Sequence, residues 1–261
     1  MAKKSRQGRK AILGKKLGMT QIFRDDGQLV PVTVVLAGPC TVLQVKTEKK
    51  DGYSAVQLGF DVVRKKRRRP QQALLDSLGL DPQRFVREVP FIDPEDLEAP
   101  ASAAAVGASD GEGASEADGD GAGDGDGGAG IVPGSKLRVS SFKDVPLVDV
   151  RGITKGRGFA GVIKRHGFST GDHSHGSKNV REPGSTGMHT DPGRVAKGKK
   201  MPGRYGGKWR KARNLTVVGV EEADDLLLIR GALPGPTGGY LYIEESLVSP
   251  KEAPASPEKA K

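Results

Sequence analysis

Apolar and polar residues alternate with a period of two in several short segments of this chain, and the alternation fails in between. It begins at Gln21. QIF leads through the turn Asp25–Gly27 into LVPVTVVLA, where Val32, Val34 and Leu36 share one face and Thr33 and Val35 the other. Gly38-Pro39 ends that run. TVLQVKT (41–47) is the next strand, with Val42 and Gln44 on one face and Leu43 and Val45 on the other. A turn at Lys49–Gly52 precedes a third strand, YSAVQLGF (53–60). Strand signals return at SKLRVSSF (135–142), PLVDVRG (146–152), NLTVVGV (214–220), LLLIR (226–230) and YLYIEESL (240–247). PQQALLDSLGL (70–80) predicts a short helix, with Pro70 at its start and Gly79 near its stop; PQRFVREVPF (82–91) stays open between helix and irregular strand. Strands about ten residues apart favour a mainly β body, barrel or sandwich, over parallel β-α-β units.

The pattern stops at Arg151–Arg213. This stretch holds 16 Lys/Arg against three acids (Asp172, Glu182 and Asp191), a formal net charge of +13, with 14 of the 38 glycines and all four histidines. It has almost no aliphatic residue at a regular period, so it cannot bury enough apolar surface to offset the entropy of ordering it. Strands on both sides make it a projection from a folded body. A basic, glycine-rich projection suits a nucleic acid, which supplies both counter-charge and walls.

Charge divides the rest of the chain. The formal net charge is +10 over 261 residues, but Glu88–Ser135 contains 12 acids and no Lys or Arg, leaving +22 on the other 213 residues. A polyanion fits that balance better than a small acidic substrate. Residues 1–24 carry eight basic residues and no acid, with residues 1–11 read as a flexible basic arm; Arg64–Arg69 is six consecutive cations, read as phosphate contact. The insertion 93–135, Ala/Gly/Asp-rich above all in 93–130, is expected to be disordered, and a role in shielding the basic surfaces before the partner arrives is one hypothesis for it. Its Asp-Gly alternation lacks the closing glutamate of a calcium loop. The tail 249–261 is polar. One cysteine, Cys40, excludes an intramolecular disulfide and a cysteine metal cluster; with no signal-like or membrane-length apolar run, the expectation is a soluble, cytoplasmic protein.

Three chemical motifs weaken on inspection. Gly156–Gly161 matches G-x-G-x-x-G, but VIKRHGFSTG follows it, broken by Gly167 and Gly171, with no β-α-β unit; small residues letting the backbone approach a phosphodiester explain it better. His166, His173, His175 and His189 have no metal-site spacing. STGDHSH (169–175) holds Ser, His and Asp only as neighbours on one polar loop, without the scaffold a triad needs. No catalytic residue, cofactor or metal is assigned. In contrast, Lys208, Trp209 and Arg210, with Tyr205 nearby, interleave rings and cations as in stacking on bases or sugars, although Trp209 suits equally an anchor on the β body. The alternative class, an enzyme or translation-factor-like module, needs a ligand pocket for which the sequence shows no motif.

Long segments resemble ribosomal protein L three of the large subunit, in its bacterial form: GKKLGMTQIF (14–23), PVTVVLAGPC (31–40), DGYSAVQLGF (51–60), VDVRGITKGRGFAGVIKRHGF (148–168), HGSKNVREPGS (175–185), TDPGRVAKGKKMPGR (190–204) and LLLIRGALPGPTGG (226–239). The resemblance implies a six-stranded barrel of the kind shared with translation factors, drawn from 12–92, 136–150 and 214–248, and an extension, here 151–213, threading through large-subunit rRNA. It implies binding near the rRNA 3′ end, a role early in subunit assembly, neighbours expected to be L fourteen and L nineteen, and neither membrane nor homo-oligomer. By position it carries rRNA contact onto Lys15, Lys16, Lys155, Arg157, Lys164, Arg165, His166, Lys178, Arg181, Arg194, Lys197, Lys199, Lys200 and Arg204. The extension tip near the peptidyl transferase centre falls on Gly187, Met188, His189, Thr190, Asp191 and Pro192. Thr190 stands where some members carry a methylated glutamine, so that modification is expected to be absent. The acidic insertion is longer than the family pattern needs, Val145-Pro146 stands where a glycine turn is common, and GGKWRKAR (206–213) is more basic than usual.

Overall fold

The computed structural model describes residues 9–24, 26–63, 69–77, 79–90, 97–98 and 131–248. The expectations for the first eight residues of the arm, for Arg64–Arg68, for the acidic tract over 99–130 and for the tail 249–261 lie outside the described residues.

The protein is mainly β, as its alternation predicts. Six strands close on one another in the order β1-β13-β8-β11-β12-β2: β1 (Ala11–Phe23), β2 (Leu29–Leu36), β8 (Leu147–Ile153), β11 (Trp209–Glu221), β12 (Leu226–Arg230) and β13 (Tyr240–Glu245). A second, five-stranded sheet runs β5-β4-β3-β7-β6, from β3 (Cys40–Lys46), β4 (Ala55–Val62), β5 (Gln83–Val89), β6 (Leu97–Glu98) and β7 (Lys136–Leu137). Residues 40–62 and 83–89, which the sequence reading placed in the barrel body, therefore belong to this separate sheet. Alternation reports only that one face is buried, not which sheet buries it.

The closed ring is built by register. Ile12 faces Ile243, Leu13 faces Tyr242, and Leu241 faces Gly152. The core takes Ile12, Leu13, Val35, Val148, Val150, Leu227, Ile229, Leu241 and Ile243 from these strands and Val42, Val56, Leu58, Phe85 and Val89 from the second sheet. Gly14 is needed for close approach, since a Cβ there would lie 2.7 Å from the Leu36 carbonyl oxygen.

Several local expectations change. β1 starts at Ala11, ten residues before the alternation at Gln21. Its AILGKK start mixes apolar and basic residues, and a register shift between Lys16 and Gly18 breaks the period. In β2, Val32, Thr33 and Val35 are all buried, so Val32 and Val35 are covered on opposite faces; Thr33 donates its hydroxyl to the Gly231 carbonyl at 2.6 Å. The turn at 49–52 is a single helical turn, α1 (Glu48–Asp51), closed by Gly52 with φ 78°. Helix α2 (Arg69–Ser77) forms as predicted, and 83–89 resolves to strand. SKLRVSSF is not one strand: after β7 it turns into a 3-10 helix over Val139–Phe142 that buries Val139 and Phe142.

Candidate nucleic-acid interface

The residues from Ile153 to Trp209 form a compact unit of their own; the rest of the chain forms the other. Two legs, 154–160 and 203–208, are tied to each other. The Thr154 amide donates to the Lys208 carbonyl at 3.0 Å, the Arg157 amide to the Tyr205 carbonyl at 2.9 Å, and the Tyr205 amide to the Gly158 carbonyl at 2.9 Å. The ladder ends in a two-residue pair, β9 (Phe159–Ala160) with β10 (Gly203–Arg204). Gly206 is required here: its φ is +72°, and a Cβ would run into the Lys155 carbonyl oxygen. The buried residues of this unit are few, Ala160 and Val162, consistent with the apolar deficit of the sequence.

Helix α3 (Val162–His166) continues from β9 and stops at Gly167, whose amide returns to the Ile163 carbonyl at 2.9 Å. Its last turn is the basic triplet Lys164-Arg165-His166. Arg165 donates Nη1 to the Met201 carbonyl at 2.6 Å, and His166 Nε2 lies 3.0 Å from the same oxygen. A Cβ on Gly203 would stand 2.6 Å from Arg165 Nη1, so the small residue admits the guanidinium. Arg157 lies over the Tyr205 ring, 5.0 Å from its centroid. Arg165 and His166 are therefore half-buried positioning groups.

Between Gly167 and Pro202 there is no helix or strand, and almost every residue is exposed. The segment is held locally: the Gly171 amide donates to the Val180 carbonyl at 3.0 Å and the Lys199 amide to the Ala196 carbonyl at 3.2 Å. Lys178, Arg181, Arg194, Lys197, Lys199 and Lys200 are all exposed on it, and Lys155, Arg157, Lys164, Arg204, Lys208 and Arg210 are exposed at and beyond its base. The residues 187–192 are exposed throughout; Ser185 Oγ donates to the Gly187 carbonyl at 2.8 Å and His189 Nδ1 lies 3.1 Å from Thr190 Oγ1. Trp209 opens β11 with 44 % of its surface exposed.

Two predicted contacts sit elsewhere. Lys16 is only 8 % exposed and donates Nζ to the Leu233 carbonyl at 3.0 Å, so it is a structural cation of the closed ring and not a surface one. Lys15 lies 3.8 Å from Asp61 and 5.9 Å from the Tyr240 ring centroid. Successive residues of a strand point to opposite faces, so these neighbours in β1 meet different environments, and the dipeptide KK does not disclose which of them is covered. Thr154 and the Met201 carbonyl were missed; their partners lie 54 and 36 residues away, and no local signal marks them.

Among the described residues, no group of three or more His, Cys, Asp or Glu could hold a metal ion. His173 and His175 are exposed with no second ligand set beside them. No helix among the described residues is long and apolar enough to cross a membrane.

Comparison with known proteins places this surface in context. Residues 135–227 match the family model described as Ribosomal protein L3. The chain is 42 % identical over 243 residues to the large ribosomal subunit protein uL3 of Thermotoga petrophila, covering 93 % of this chain and 100 % of that protein. It is 41 % identical over 238 residues to uL3 of Syntrophobacter fumaroxidans (91 % and 97 %), and 43 % over 237 residues to uL3 of Synechococcus sp. RCC307 (90 % and 94 %).

Proposed function

This chain belongs to the ribosomal protein L3 family, and from that premise we propose that it is a structural constituent of the large ribosomal subunit that binds large-subunit rRNA directly. It is not an enzyme. Its closed ring of six strands is the translation-protein-type barrel, and the basic extension threads through rRNA near the 3′ end. The protein helps nucleate subunit assembly in the cytoplasm, beside neighbours of the L fourteen and L nineteen type, and residues 187–192 support the peptidyl transferase centre.

One observation carries this reading. The unit Ile153–Trp209 holds 12 Lys/Arg against three acids, nearly all exposed, on a backbone with almost no core. Cations displayed this way repel one another until phosphates sit among them, and each phosphate neutralised releases counterions. Glycines let the backbone approach the RNA, so amides as well as side chains reach phosphate oxygens.

Sucrose-gradient fractionation of cell extract tests the assignment. The protein is expected with large subunits and whole ribosomes, and recovery at the top of the gradient alone rejects it. At residue level, Arg194→Ala with Lys199→Ala is expected to weaken rRNA binding and to reduce the magnitude of the log K against log salt slope by about one to two. The β-sheet circular dichroism should be unchanged; its loss would assign the two residues to the fold.

A further inference from the structure

A second cationic site lies outside the extension, on the barrel unit. Asp149 and Arg151 are two apart on β8, and Lys211 and Arg213 are two apart on β11, so each pair shares a face. Across β13 the register sets Glu244 opposite Asp149 and Tyr242 opposite Arg151. Val148, Val150 and Ile243 point into the core, so the charged set lies on the outer face. Beside it is a cavity of about 450 Å3, lined by Arg9, Asp149, Arg151, Lys211, Arg213 and Asn214 and by residues 246–248.

The floor of the cluster is acidic and buried. Asp149 is 4 % and Glu244 3 % exposed. Lys211 Nζ bridges them, 2.7 Å from Asp149 Oδ2 and in direct ion contact with Glu244 Oε1, which makes no hydrogen bond of ordinary geometry. Arg9 Nη1 and Arg151 Nη2 each lie 3.6 Å from a Glu244 oxygen. Arg151 also covers the Tyr242 ring at 5.7 Å, where burial first, and then Glu244, push the phenol up to about 12. Asn214 stands between these groups at φ +55°, held by its amide to Asp149 Oδ1 at 2.9 Å and by the Ser246 hydroxyl to its Oδ1 at 2.7 Å. Left-handed non-glycine residues concentrate where a site imposes them.

We infer that this cavity is a preorganised seat for a backbone phosphate of large-subunit rRNA. The inference rests on the RNA-binding reading above and adds a site on the barrel face to it. Arg9, Arg151, Lys211 and Arg213 supply four positive charges against two from Asp149 and Glu244, a surplus of +2 around an open volume. The buried carboxylates hold Lys211, Arg9 and Arg151 together without their repelling one another, while Arg213 has no carboxylate partner among the described residues. Two arginine forks at one opening match the oxygens of a phosphodiester.

The test uses the full chain with large-subunit rRNA, titrated over a series of salt concentrations. Arg151→Ala with Arg213→Ala is expected to lower affinity about tenfold or more at moderate salt and to reduce the slope by about one to two, together with a lowered melting temperature from the lost Arg151 contact with Glu244. Arg213→Ala alone keeps every ion pair of the network and is expected to show the same effect in smaller measure, which guards against a folding defect in the double variant. If both variants bind like the unsubstituted protein while Arg194→Ala with Lys199→Ala binds more weakly, the phosphate seat is refuted and the RNA-binding reading stands. If the unsubstituted protein shows no salt-dependent rRNA binding, both fall. If inorganic phosphate at constant ionic strength raises the melting temperature of the unsubstituted protein but not of Arg213→Ala, and rRNA affinity is equal in the two, the cavity holds a free anion and the RNA assignment is overturned.

Discussion

Single residues in this protein take their chemistry from where they are buried. Cys40 is fully buried and donates its thiol to the Leu13 carbonyl at 3.3 Å. Burial above all pushes the thiol up from 9.0 to about 12. At pH 8 the native protein should therefore resist thiol reagents that label it completely in guanidinium, and rapid native labelling would show that the site opens. The sign of its pH linkage follows. The folded thiol holds its proton where the unfolded one has lost it, so this contribution to stability is complete below about pH 9 and disappears as pH rises toward about 12. Denaturant midpoints across that range measure it. Lys16 teaches the same lesson: as a surface cation in sequence it looks like its neighbour Lys15, yet it ends 8 % exposed on the Leu233 carbonyl.

At the scale of elements, strands carry the stability and the two legs of the extension carry the geometry. Ile243 is fully buried between Ile12 and Val150 in register. Ile243→Ala should cost about 2–5 kcal/mol, read as a lowered denaturant midpoint. A loss under 1 kcal/mol would mean that the ring repacks. The legs depend instead on backbone. Gly206→Ala meets both a left-handed φ and the Lys155 carbonyl, a cost of about 1–3 kcal/mol confined to the ladder. Hydrogen exchange of the Arg157 and Tyr205 amides should quicken about tenfold or more, while barrel amides keep their protection. Most of these elements were legible as strands, because alternation of LVPVTVVL or YLYIEE depends only on one buried face. Residues 11–20 were not, since β1 there carries Lys15, Lys16, Gly14 and Gly18 and a register shift within one strand. The 3-10 turn in SKLRVSSF was missed because Val139 and Phe142 lie three apart, a spacing compatible with a single helical turn, within a segment whose apolar content also fits a strand.

The whole molecule separates folding from charge. Thr154 and Lys208 are hydrogen-bonded across the base of the extension, so residues 155–207 can be replaced by a tight two-residue turn. That shortened chain should retain its β-sheet circular dichroism and its cooperative unfolding, because the removed segment contributes only Ala160 and Val162 to buried apolar surface. It should lose most of its rRNA affinity and salt slope. A shortened chain that fails to fold would make the extension part of the core.

Sequence by itself determined which segments bury a face and which segment cannot. It also determined the sign of the charge that residues 151–213 attract, since 16 cations stand there against three acids, with 14 glycines and no apolar period. The motifs it shares with the L three family were readable in the same way, as runs of residues in order. Only the tertiary structure decided which strands close the ring and which form the second sheet, that Lys16 turns inward, and that Arg9, Asp149, Arg151, Lys211 and Arg213 meet at one cavity, with Glu244 in ion contact with Lys211. The reason is physical. Burial and net charge are sums over local residues, whereas register and convergence are relations between segments as much as 235 positions apart, such as Arg9 and Glu244.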